Sequence, residues 1–181
     1  MQTIKPFTFR NNCPDPVWPA TLTSGGPTFP TTGFLLPPGT SISFPGVGAT
    51  WSGRVWGRSR CAATTSASGG AARFSCESGD CGTGQLACNG AGGAPPATLA
   101  EFTLAGGGND FYDVSNVDGF NLPVEIQPAA AAAGGGVRCP STSCPADINR
   151  VCPSELAVRA PAASGDEDAA AAAAVADHAE R

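Results

Sequence analysis

Short runs in which apolar side chains alternate with polar ones, each closed by proline or glycine, recur along the first 128 residues. Phe7 to Ala20 (FTFRNNCPDPVWPA) alternates and then breaks at Pro14 and Pro16, which predicts an edge strand and a turn. FLLPPGTSISFPG (34–46) predicts a strand entered through a Pro-Pro-Gly turn. SGRVWGRSRC (52–61) alternates more regularly, with Val55 and Trp56 set among Arg54, Arg58 and Arg60. TLAEFTL (98–104) and DFYDVSNVDGFNLPVEI (110–126) complete the set of strand candidates, while residues 62–94 are small, Gly-rich and crosslinkable. Short strands separated by turn signals predict an all-β class and an antiparallel sandwich.

The pattern stops after Pro128. Five alanines and three glycines (129–136) read as a connector, and VRCPSTSCPADINRVCPSEL (137–156) is rich in Cys and Pro, with ADINRVC able to form one short helical turn. From Ala160 a DED cluster precedes an Ala run. Such a segment is marginal as a lone helix in water and is expected to be disordered. The expected division is therefore a β domain over 1–128, a Cys-rich segment over 129–159 and an acidic, Ala-rich tail over 160–181.

Composition narrows the function. Of 181 residues 41% are hydrophobic and 14% charged, with 24 Gly and 17 Pro, so this is no charge-rich disordered chain. Residues 1–152 carry 8 Lys/Arg and 9 Asp/Glu, whereas 153–181 carry 2 and 6. The net charge of −5 thus belongs mostly to the tail, and with no basic patch nucleic acid is not an expected partner. No apolar run is long enough for a membrane span. Nor does MQTIKPFTFR contain the apolar core of a signal peptide, and N-glycosylation sequons are missing from this sequence.

Eight cysteines, at 13, 61, 76, 81, 88, 139, 144 and 152, suit either a disulfide framework or a metal cluster. With no C-x-x-C and one histidine, His178 in the tail, zinc fits poorly and no metal or other cofactor is expected. Disulfides imply an oxidising compartment. The lone His also disfavours Ser-His-Asp catalysis, and the glycines at 106–108 lack the lysine and helix of a phosphate loop.

CESGDCGTGQLAC (76–88) resembles the signature of the thaumatin-like proteins, the pathogenesis-related group 5 family. Phe74, Cys76, Gly79, Asp80, Cys81, Gly84 and Cys88 match it, while Ala72 stands where the family has Gly and Ser78 where it has Thr. FRNNCPDPVWPA, GRVWGRSRC, PPATLAEFTL and DFYDVSNVDGFNLPVEI resemble further family segments, so the likeness covers residues 7–156. It implies the pairs Cys61–Cys76 and Cys81–Cys88, and local spacing independently suits both. It also implies that Cys13, Cys139, Cys144 and Cys152 pair, in full-length members, with cysteines nearer the C-terminus. The chain is accordingly expected to be a truncated or spliced form without most of the second domain and the last strands. Its four remaining cysteines would stay reduced, pair among themselves or crosslink chains.

The resemblance further implies an acidic cleft of one Arg, one Glu and three Asp, matched by Arg54, Glu101, Asp113 and Asp118, with the third Asp outside this sequence. Asp110 and Asp80 read as turn residues, Arg58 and Arg60 as solvated face, and Trp18, Trp51 and Trp56 as packing. The acids after Asp113 do not alternate as a calcium loop requires. Carboxylates can accept hydrogen bonds from sugar hydroxyls beside an arginine, or two of them (Glu101 and Asp118) can act as acid and nucleophile or base. Taken alone, any one of these acids is also an ordinary surface residue. The family likeness implies a secreted, apoplastic, monomeric antifungal defence protein that binds β-1,3-glucan of fungal walls. The alternatives are a weak endo-β-1,3-glucanase, a hydrolase inhibitor and an inactive truncated isoform.

Overall fold

Nine short strands and one turn of 3₁₀ helix make up the regular structure of the computed structural model, which describes residues 4–65, 71–129 and 139–159. The strands are β1 (Ile4–Arg10), β2 (Trp18–Gly25), β3 (Ser41–Gly48), β4 (Ser52–Thr64), β5 (Arg73–Ser78), β6 (Leu99–Thr103), β7 (Phe111–Ser115), β8 (Val124–Ile126) and β9 (Thr142–Cys144). The all-β, antiparallel expectation holds throughout. β1 pairs with β3, β8 with β9, and β2-β4-β6-β7 form one sheet to which β5 adds alongside β4. Two compact units divide at Ala146/Asp147. The described part of the second contains the 3₁₀ turn Ile148–Val151, capped by Asp147, whose side chain accepts from the Asn149 amide.

Alternation in β4 generates both layers of the first unit. Val55 points with Ala100 of β6 into a core that also holds Phe29, Val47, Trp51 and Leu104 and is flanked by Phe7, Phe9 and Phe44 of β1 and β3. The rings meet edge to face, as quadrupoles prefer: Phe7 lies 5.6 Å from Trp51 and 5.1 Å from Phe102. Gly53 has to be glycine, because a Cβ there would collide with the Leu22 carbonyl and the Trp51 ring. Trp56 points the other way, into a second cluster with Ala20, Cys88, Ala97 and Leu99. That cluster is roofed by the loop between β5 and β6, which turns at Gly79 (φ +69°), where the Trp56 indole N–H donates to the Gly79 carbonyl at 2.8 Å.

Two cross-links shape this roof. Cys61 and Cys76 face each other across β4 and β5, and Cys81 is bonded to Cys88. The first closes a separation of 15 residues, worth ~3 kcal/mol in the chain-entropy model. Cys13, Cys139, Cys144 and Cys152 are free thiols.

Three sequence readings need correction or completion. Arg58 is not on a solvated face: it is fully buried, its Nε donating to the Trp18 carbonyl (3.0 Å) and its Nη2 to the Leu86 carbonyl (2.7 Å), with the guanidinium 5.3 Å from the Phe74 ring centre. Burial lowers its pKa to about 10, against the pull of Asp80. Arg60 is exposed and pairs with Glu77. Strands β2 and β5 had no prediction of their own, β2 because Pro19 sits inside it and β5 because it lies in the Gly-rich 62–94 stretch, although Phe74 and Cys76 alternate with polar residues along it. The 160–181 tail and the 129–136 connector, apart from Ala129, lie outside the described residues.

Replacing Arg58 by Ala would empty a fully buried position and remove the donors to the Trp18 and Leu86 carbonyls. Chemical denaturation should register a stability loss of about 3 kcal/mol. An unchanged midpoint would refute the pinning role of this side chain.

Candidate functional site

Register decides which acids meet. Arg54 of β4 lies opposite Glu101 of β6, and Glu101 lies opposite Asp113 of β7, so the three stand in one row across adjacent strands. Directly opposed residues hold their Cβ atoms about 4.5–5.5 Å apart. The row emerges on the same face as Trp56, one alternation before it on β4. There the protection of the cross-linked roof gives way to solvent. Asp118 reaches the row from the turn after β7: its carboxylate lies 3.8 Å from Arg54 Nη1, both side chains being about one-third exposed. Arg54 therefore has Glu101 as its cross-strand neighbour and Asp118 as its ion partner.

On the open side a depression of about 440 Å³ runs over the row. Arg54, Glu101 and Asp113 line it together with Ser24, Ser52 and Thr103, and Phe111 stands at its β7 margin. This volume falls within the usual size of small-ligand sites, about 300–1,000 Å³. The roof loop borders it near Gly92, where a Cβ would come 3.4 Å from Arg54 Nη2. Glu101 and Asp113 line the depression, while Asp118 does not line it but pairs with Arg54, so three carboxylates stand against one guanidinium. Such a surface can accept several hydrogen bonds from hydroxyl groups.

The other acids are accounted for locally. Asp80 accepts from the amides of Cys76 (2.7 Å) and Gly82 (2.6 Å) inside the cross-linked loop. Asp110 accepts from the Ala105 amide at 3.0 Å and from Lys5 of β1. Trp51 and Trp56 are buried in the two clusters, and Trp18 packs near Phe74. Phe111 is the residue at the depression that sequence reasoning missed. Its signal was present: an apolar residue two positions before Asp113 in a strand must share the acid's face.

With the sandwich and the acidic row in place, comparison with known proteins assigns the chain. Residues 11–179 match the Thaumatin family, beyond residue 156 where the resemblance was expected to end. The chain is 57% identical over 152 residues to thaumatin-like protein 1 of Pyrus pyrifolia, an alignment covering 83% of this chain and 58% of that protein. It is 52% identical over 152 residues to a Prunus avium protein named glucan endo-1,3-beta-glucosidase, with 83% and 58% covered. Among solved structures it resembles a thaumatin-like xylanase inhibitor, at 33% identity and a TM-score of 0.50, covering 64% of this chain and 71% of that one. This chain belongs to the thaumatin family. It spans a little under three-fifths of the length of these two sequence relatives. Among the described residues no helix is long and apolar enough to cross a membrane.

Asp110 offers a clean control for the row. Burial raises its pKa, but the contact with Lys5, the Ala105 amide and the charge of Lys5 outweigh that and leave it below the ordinary 3.8. A depressed carboxyl stabilises the fold above its unfolded pKa and loses that contribution as pH falls through the folded value. Asp110→Asn should thus lower stability at pH 7 by up to about 1 kcal/mol and match the parent protein near pH 2. Thermal unfolding at both pH values measures this, and an equal deficit at both would refute it.

Proposed function

We propose that this protein is a secreted, plant-type defence protein of the apoplast that binds β-1,3-glucan of fungal walls through Arg54, Glu101, Asp113 and Asp118. The observation that carries this reading is the cross-strand row on an open sheet face, above which a depression of ligand size is lined by hydroxyls and carboxylates. Sugar hydroxyls donate to carboxylates, and several such bonds in a preformed site replace water without a large reorganisation. The two disulfides support an oxidising, extracellular destination. The described first unit has its own core and roof, which supports action as a monomer.

A second reading is weak endo-β-1,3-glucanase activity with Glu101 and Asp118 as the carboxyl pair. The name of the Prunus avium relative favours it. Retention of configuration asks for carboxyl groups ~5 Å apart, and inversion for ~6.5–9.5 Å.

Sedimentation with insoluble β-1,3-glucan separates these readings. The oxidised protein should co-sediment, and Glu101→Gln or Asp113→Asn should weaken retention about tenfold, as expected for losing one or two charge-assisted hydrogen bonds. No retention of the parent protein would end the binding reading. Release of reducing sugar that vanishes in Glu101→Gln while retention survives would instead establish the glucanase.

A further inference from the structure

Phe111 is 67% exposed, yet it sits where the polar depression begins. The ring network of the core takes up Phe7, Phe9, Phe29, Phe34, Phe44, Phe102 and Trp51; Phe111 belongs to none of those ring pairs. Its position follows from register. It lies opposite Thr103 on the outermost strand of the five-stranded sheet, and two residues before Asp113, so that side chain and carboxylate emerge on one face. Leaving a phenyl ring this open forgoes about 1.5–3 kcal/mol of burial, so its packing in the sandwich does not explain it.

The neighbours specify what the ring can serve. Hydroxyls of Ser52 and Thr103 lie in the same cross-strand row as Phe111, and Arg54, Glu101 and Asp113 in the next. A flat apolar surface beside acceptors is the complement of a pyranose, which has one apolar ring face and a rim of hydroxyl donors. Three carboxylates against one arginine disfavour an anionic sugar such as a uronic acid.

We propose that Phe111 is the platform of this site: it stacks on the apolar face of one neutral pyranose while Glu101 and Asp113 accept from that sugar's hydroxyls. The inference rests on the glycan-binding reading above and adds the residue that selects a neutral ring. The platform contributes affinity through area and shape, and the acids fix orientation.

Titration calorimetry with a six-residue β-1,3-gluco-oligosaccharide, and with an oligogalacturonate as anionic control, tests it. The parent protein should bind the neutral sugar and not the anionic one. Phe111→Ala should weaken binding about tenfold, Phe111→Tyr should restore it, and Phe111→Leu, apolar but not flat, should not. Because the ring is exposed, all three variants should keep the parent melting temperature. Equal affinity of Phe111→Ala and the parent, with Glu101→Gln weakened, would overturn the platform and leave the acidic site standing. Full rescue by Leu, or binding of the anionic control as tightly as the neutral sugar, would also overturn it. Absence of binding by the parent would remove the glycan-binding reading and this inference together.

Discussion

One buried cation ties the roof to the sheet beside the candidate site. Arg58 leaves β4 beneath the cross-linked roof and donates to a carbonyl of β2 and to another in the roof, while its flat group lies over Phe74 of β5. A charge in such a place is costly unless its donors are used, and here they bind the backbone oxygens of Trp18 and Leu86. The disulfide between Cys81 and Cys88 limits how far the roof can open, but the cross-link by itself attaches it to nothing. The guanidinium supplies one attachment, beside the Trp56 indole on the Gly79 carbonyl and the Cys88 amide on the Thr32 carbonyl. The roof in turn covers Trp56 and Leu99 and leaves Arg54 and Glu101 at its edge. The position of the polar depression on the sheet thus depends on an arginine that faces away from solvent.

Much of the architecture was legible in the chain because strand alternation and turn chemistry are local. Of the strands that carry the row, β6 and β7 fell within predicted segments and β4 began with one but runs three residues past its predicted end at 61, and the Pro-Pro-Gly turn before β3 is present with Gly39 at φ +69°. What local pattern could not provide was non-local cover. Arg58 alternates with Trp56 and Arg60 as a surface residue would, and only the return of the roof loop after β5 buries it. β5 has only two alternating apolar positions, Phe74 and Cys76, too few to mark a strand, and it places Cys76 opposite Cys61.

The candidate site shows the same division. The resemblance named Arg54, Glu101, Asp113 and Asp118 individually, but their arrangement is a property of pairing: three share one cross-strand row, and Asp118 joins through a turn and an ion contact. Phe111 went unnoticed because an apolar residue in a strand is ordinarily read as core. Its exposure follows from β7 being the last strand of its sheet.

The row also ties chemistry to fold in a stricter way than a loop-borne site would. Sheet side chains repeat with a period of two, so sliding β6 by one residue would exchange its two faces. Glu101 would then enter the aromatic core and Phe102 would emerge in its place. Misregistered chains would therefore pay twice, by burying a carboxylate and by exposing a ring. Quality control of this surface is built into the hydrogen-bond ladder itself, and a chain that has reached its stable pairing has, by the same step, assembled its polar face.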